Sequence, residues 1–226
     1  SDFVSLVSHE LRAPLTNLNG GLELVLARGQ LETATRDHLL LVQSEVRRLT
    51  GFVETILDLS ALEAGRLRLN PAPLDLLDVV RRLRAAAFAG QSAETRLSLA
   101  LPEGLPLVLA DDRALASVFF HLIDNAQKYA PEGTIEVRAE PASATAVRVR
   151  VSDEGPGIPA DRRASVFERF ERLHTGDDRD VYGHGLGLHM VRQLLRAMSS
   201  DVALEPSERG AVFAFTLPIA EVADDD

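Results

Sequence analysis

The sequence predicts an α-helical hairpin, suited to closing a four-helix bundle in a dimer, followed by an α/β sandwich. Three observations predict this division. Apolar residues recur at heptad spacing through the first quarter of the chain, two prolines then break the helical pattern at 71 and 73, and beyond them short alternating runs are interleaved with amphipathic helical segments. With 226 residues, 46% of them hydrophobic and 26% charged, the chain can bury a sizeable core and fits one or two domains, of which two is the better reading.

The first helix follows from Val4, Leu11, Leu18 and Val25, seven residues apart, with Val7, Leu15 and Leu22 beside them. It should fade near Arg28 and Gly29, since glycine commonly ends a helix. From about residue 32 a second seam runs through Leu39, Val42, Val46, Leu49, Val53 and Ile56. Two such helices form a hairpin. One hairpin leaves half of each seam wet, so a homodimer closing a four-helix bundle is the economical solution. The alternation in RLRLN and the prolines after it place the boundary between 64 and 73, giving a first domain at 1–66 and a second at 67–220.

A helix is expected over about 74–89, short strands at 96–101 and 107–110, and then a helix over 112–130. The latter turns Leu115, Val118, Phe119, Leu122, Ile123 and Ala126 inward, and His121, Asp124, Asn125 and Lys128 onto its other face. Residues 134–139 and 146–152 read as adjacent strands, the second running into DEGPGIP. A polar stretch over 158–182 contains one short amphipathic piece, RASVFERFERL. Next, GHGLGLHMVRQLLRAM leads three glycines into a helix with Leu188, Val191, Leu194 and Leu195 inward. Paired strands at 202–204 and 211–219 precede an acidic tail, 221–226, expected to be disordered.

Several functional classes are disfavoured at once. A net charge of −10 argues against nonspecific nucleic-acid binding, and the absence of cysteine removes disulfides and thiolate metal sites while permitting a reducing compartment. No apolar run approaches the roughly 20 residues of a membrane helix, and no signal peptide opens the chain. What remains is chemistry on exposed side chains. His9 lies off the first seam, about 140–160° round the helix from Val4 and Leu11, so its imidazole should face solvent. With a pKa near neutrality it is a reachable nucleophile, and Glu10 is placed to hold the ring or take its proton. Taken alone, a histidine and a glutamate on a helix are an ordinary solvated face. Asp153 closes a strand, and Gly155 and Gly157 would let a ligand approach backbone. Gly183, Gly185 and Gly187 run into a helix start, where backbone amides suit phosphate.

SHELRAPL closely resembles the phosphoacceptor box of sensor histidine kinases, and HLIDNAQKYA, DEGPGIP and GHGLGLHM resemble that family's asparagine box and two glycine boxes, in the right order. The resemblance implies a Bergerat-type, GHKL-type ATP-binding domain with a mixed, mostly antiparallel sheet. It further implies that His9 accepts the γ-phosphate of ATP, that Glu10 acts as base, and that Asn125 helps hold Mg²⁺ on the nucleotide. In the same reading Lys128 meets phosphate, Tyr129 lies beside the base, Asp153 accepts from the adenine amino group, and Arg172 reaches the terminal phosphate. The segment before Gly183 becomes a lid, docked by Phe167 and Phe170. A response-regulator receiver domain is implied as partner, docking below His9. The fragment is expected to be cytoplasmic and to lack an upstream sensing part, and whether the full-length form is membrane-anchored through that part stays open. Three departures stand out: His121 where a second asparagine is usual, Ala13 where relatives with phosphatase activity carry threonine or asparagine, and a final turn that keeps Gly210 but not the usual threonine. A nucleotide-binding dimeric scaffold and a GHKL-type ATPase or serine kinase remain alternatives. The latter lacks a histidine box on a helical hairpin.

Overall fold

The computed structural model describes residues 2–27, 31–87, 96–171 and 184–221, with side chains in α1 described from Leu11 onward except Arg12, and those in α2 except Arg47. The chain divides into two compact units, Ser1–Leu67 and Arg68–Asp226.

In the first unit, α1 (Asp2–Ala27) and α2 (Thr33–Glu63) pack against each other. α1 runs through Pro14, whose missing N–H leaves the carbonyl of residue 10 without its usual helical donor. α2 ends at Gly65, which adopts φ +62° while Arg66 N–H donates back to the Ala61 carbonyl at 2.9 Å. The heptad seam splits between two surfaces. Leu15, Gln43, Val53 and Leu59 are buried, whereas Leu11, Leu18 and Val25 of α1 and Val42 and Leu49 of α2 are each more than 40% exposed.

In the second unit, a five-stranded sheet has the order β2-β4-β5-β7-β6, formed by β2 (Leu97–Ala100), β4 (Ile135–Ser143), β5 (Ala146–Asp153), β6 (Ala203–Glu205) and β7 (Val212–Pro218). Only β2 and β4 pair in parallel, so the sheet is mixed and mostly antiparallel as expected. A separate two-stranded ribbon joins β1 (Ala72–Leu74) to β3 (Val108–Ala110). The helices are α3 (Leu76–Ala87), α4 (Asp112–Tyr129) and α5 (Gly187–Ala197).

Alternation in the strands builds the sandwich. Ile135, Val137 and Ala139 of β4 and Val147, Val149 and Val151 of β5 turn to the helices and are buried. Phe119 of α4 meets Phe215 of β7 edge-on at 6.0 Å between ring centres. On the other face Arg150 bonds Glu140 at 2.5 Å and Glu205 at 2.8 Å, and Arg148 also pairs with Glu205, so charge ladders cover the side without helices. α4 starts on an Asp111 cap, whose Oδ1 accepts the Ala114 N–H at 2.9 Å while Oδ2 accepts that of Asn70 at 2.8 Å.

Four expectations are corrected. RLRLN forms no strand; the pairing falls one step later, on APL, where Pro73 is tolerated because a two-stranded ribbon leaves its outer edge without a ladder to complete. α3 begins at Leu76, where Asp75 accepts the Leu77 N–H at 2.8 Å. The amphipathic piece RASVFERFERL runs as turns through residues 163–170, and of the two phenylalanines expected to dock it Phe167 is buried but Phe170 is 67% exposed at φ +61°. On α5, Leu188 is only half-buried while His189 and Met190 go inside with Val191, Leu194 and Leu195.

Candidate functional site

α4 supplies the polar strip. Its inward residues are the six expected from periodicity together with Ala114, and this fixes His121, Asp124, Asn125 and Lys128 on the outward side. Lys128 is exposed and paired with Asp124 one turn back. Asn125 is half-buried, and no protein hydrogen bond occupies its carboxamide among the described residues. His121 lies against the start of α5: a Cβ on Gly187 would stand 3.6 Å from its Nδ1. Burial pushes this imidazole down to about 4, the Asp124 carboxylate opposing and the Lys128 ammonium adding, so it is neutral at physiological pH.

The end of β5 forms the second wall. Asp153 Oδ1 accepts the Gly155 N–H at 2.8 Å and the Ala211 N–H at 3.2 Å, while Oδ2 takes no donor among the described residues. Burial raises this carboxyl above its ordinary range, and the two backbone donors only partly offset it. Gly155 is required here, since a Cβ would come within 2.9 Å of Asp153 Oδ1 and 3.0 Å of the Tyr129 carbonyl. Gly157 adopts φ +75° and approaches the Gly210 carbonyl.

Two contacts therefore pin α4 to two glycine turns. Tyr129 touches Gly155, and His121 touches Gly187; Asn125 lies midway between them on the same helix. The structure thus brings Asn125, Lys128, Tyr129, Asp153, Gly155, Gly157, Gly185 and Gly187 into one neighbourhood. Arg172 and Gly183 lie outside the described residues, as does the lid over 174–180. His9 and Glu10 are on α1, in the other unit, and their side chains are not described. The acidic tail from residue 222 is likewise outside the description.

Sequence reasoning noted Gly210 but missed its place against Asp153. A Cβ there would fall 1.7 Å from the Asp153 carbonyl oxygen, so only glycine lets the final turn close on Asp153. The signal was a lone glycine before the last strand. It also missed His189, a polar group carried inside an apolar helix face, which bonds the Phe167 carbonyl at 2.9 Å. Among the described residues no cluster of three or more His, Cys, Asp or Glu could hold a metal ion, and no helix is long and apolar enough to cross a membrane.

Comparison with known proteins identifies both regions of the chain. Residues 1–65 match the His Kinase A (phospho-acceptor) domain, and residues 110–221 match the histidine kinase-, DNA gyrase B-, and HSP90-like ATPase family. The chain is 34% identical over 229 residues to the sensory/regulatory protein RpfC of Xanthomonas campestris pv. campestris, covering 97% of this chain and 31% of that protein. It is 36% identical over 219 residues to the probable sensor histidine kinase TcrY of Mycobacterium tuberculosis, covering 96% and 45%. The chain thus spans less than half the length of either relative. The crystal structure of full-length ShkA in complex with AMPPNP superposes with a TM-score of 0.76 at 29% identity, over 98% of this chain and 46% of that one. A phosphoacceptor match ahead of the ATPase match disfavours a lone ATPase or serine kinase. With a His Kinase A region followed by an ATPase domain of the histidine kinase type, the chain belongs to the sensor histidine kinase family as its catalytic core.

Proposed function

We propose that this core is a histidine autokinase that moves the γ-phosphate of ATP to His9 and then to an aspartate of a response-regulator receiver domain. The observation that carries the reading is the strip of α4 held between two glycine turns, with an unbonded Asn125 carboxamide on it and an open Asp153 oxygen beside it. Asp153 Oδ2 accepts the adenine amino group while Oδ1 stays fixed by Gly155 and Ala211. Tyr129 lies next to that turn and flanks the base. The amides at Gly185 and Gly187, at the start of α5, receive phosphate oxygens, and Lys128 exchanges Asp124 for phosphate. Arg172 and Gly183 complete this set in the family pattern.

Magnesium, when bound, neutralises charge on the nucleotide phosphates. Its demand for oxygen donors fits Asn125, whose carboxamide is unspent, and does not fit the His121 imidazole packed against Gly187. In the transfer, a neutral His9 nitrogen attacks the γ-phosphorus in line as the bond to the β,γ-bridging oxygen breaks. Glu10 holds the other ring nitrogen and takes up its proton, and ADP leaves. Phosphohistidine then donates to the receiver aspartate.

The domains follow: 1–66 for dimerisation and phosphoacceptance, 67–220 for catalysis. The exposed row Leu11, Leu18, Val25, Val42 and Leu49 supports a homodimer that completes the bundle. This core is cytoplasmic and answers to a sensing part upstream of it, in keeping with a chain that spans less than half the length of its relatives. Ala13 is exposed on α1 and offers no hydrogen bond to a water, so phosphatase activity toward the regulator is weak and Ala13→Thr raises it.

The test is transfer of label from γ-labelled magnesium ATP, with His9→Gln in parallel. Acid-labile label that disappears in the variant is the expected result. ATP binding without label would instead indicate a nucleotide-responsive dimeric scaffold.

A further inference from the structure

Residues 167–170 are tied to the head of α5 by four separate contacts. His189 Nδ1 lies 2.9 Å from the Phe167 carbonyl oxygen, Arg169 Nε lies 3.3 Å from His189 Nε2, Arg192 bonds Glu168 at 2.8 Å, and Phe170 N–H donates to the Gly185 carbonyl at 2.8 Å. Phe167 is itself clamped between the edge of Phe213 and the Arg192 guanidinium. Gly185, at φ +65°, has no room for a Cβ, which would fall 2.6 Å from the Phe170 carbonyl carbon. Phe170 is held in the left-handed region, which is strained for a phenylalanine, although its ring is exposed and packs against little. Something other than burial of its own side chain therefore holds that backbone.

His189 is the member of this set placed to do so. It is 4% exposed, and a carbonyl oxygen can only accept, so Nδ1 carries the proton and Nε2 presents its lone pair to Arg169. Only the neutral ring in this tautomer satisfies the Phe167 carbonyl and the Arg169 guanidinium together; the Gln193 side-chain amide also stands 3.5 Å from Nε2. An imidazolium would set an N–H against the Arg169 guanidinium with Arg192 also nearby, while the opposing Glu168 carboxylate is already bonded to Arg192. We propose that His189 is a positioning residue that latches residues 167–170 to the head of α5 and so fixes the Phe170 backbone against the Gly185 turn. This rests on the assignment of Gly185 and Gly187 to phosphate. Burial lowers the His189 pKa, with the Phe167 bond and Glu168 opposing and the two arginines adding, so the latch is closed at neutral pH and opens as pH falls below the ordinary imidazole value.

The experiment is hydrogen exchange at the Phe170 amide of the nucleotide-free full chain, corrected for intrinsic rates, at about pH 7.5 and about pH 5. His189→Ala should exchange there roughly tenfold faster at the higher pH, with the amides of β5 unchanged. His189→Gln, whose amide oxygen still accepts from Arg169 but does not titrate, should regain much of the protection and lose the acid response shown by wild type. Arg169→Ala tests the same latch without touching the buried ring and should also expose Phe170. Unchanged exchange in both alanine variants would overturn the proposal, as would loss of protection spread equally through β5. AMPPNP titration then separates the two readings. Weaker binding in Arg169→Ala supports positioning, whereas unchanged binding despite a loosened Phe170 refutes it. If wild type binds no AMPPNP at all, the function proposed above falls while the latch still stands on the exchange data.

Discussion

The hairpin and the sandwich use apolar residues in opposite ways. In the sandwich nearly every large apolar side chain of α4 is inside, and Leu115, Val118 and Phe119 have no exposure at all. In the hairpin, Leu11, Leu18, Leu24, Val25, Leu40, Leu41, Val42 and Leu49 all stand in solvent beside a thin interior that includes a glutamine, Gln43. One unit is complete within a single chain; the other carries half of a core whose remainder must come from elsewhere. A self-sufficient sandwich can hold a site whose geometry does not depend on assembly, while the hairpin keeps an apolar row free for pairing.

Substitutions should separate the two units, beginning with the largest effect. Phe119→Ala removes a fully buried ring in contact with Phe215 and should cost about 3–5 kcal/mol, read as a lowered unfolding midpoint of the sandwich that does not depend on protein concentration. Leu18→Ala should leave the monomeric hairpin nearly unchanged but weaken pairing by about 3 kcal/mol over the two copies, roughly a hundredfold in dissociation constant by analytical ultracentrifugation. An equal loss in monomer stability would contradict the split seam.

The third effect belongs to pH. Because the folded His121 has a pKa of about 4 against an ordinary value of 6.5, the unfolded chain binds more protons across that window, and stability falls as pH drops through it. Allowing for partial exposure, about 2 kcal/mol should be lost between pH 6.5 and 4. Asp153, whose pKa is raised, acts in the opposite sense at the acid end, so the readout is the difference between wild type and His121→Asn in denaturant melts. A parallel pair of curves would remove His121 as the cause. Smallest of the four, Asp111→Ala deletes the α4 cap and should cost about 1 kcal/mol, confined to the sandwich.

Periodicity carried far in both units. It identified the buried side of α4 almost residue for residue, placed both long helices of the hairpin, and paired the last two strands, because those features depend on neighbours three, four or two positions away. The residue types of the candidate site were legible for the same reason: an imidazole, an amide and a cation one turn apart, and aspartate and glycines at strand and helix ends. Alternation misled at RLRLN, where a strand pattern had no partner, while the less regular APL found one in β3.

What tertiary structure decided lies at long range. Gly210 matters because it meets Asp153 across the sheet, and His189 is buried because residues 167–170 fold back over α5. The exposure of Leu18 beside the burial of Leu15 depends on which side of α1 receives α2. The sequence by itself determined the two-unit plan, the elements and the chemical types at the site, since local spacing selects helix, strand and turn. Tertiary structure alone decided which seam residues remain for a partner and which polar groups hold the glycine turns in place, since burial and hydrogen bonding are properties of pairs that the chain brings together only on folding.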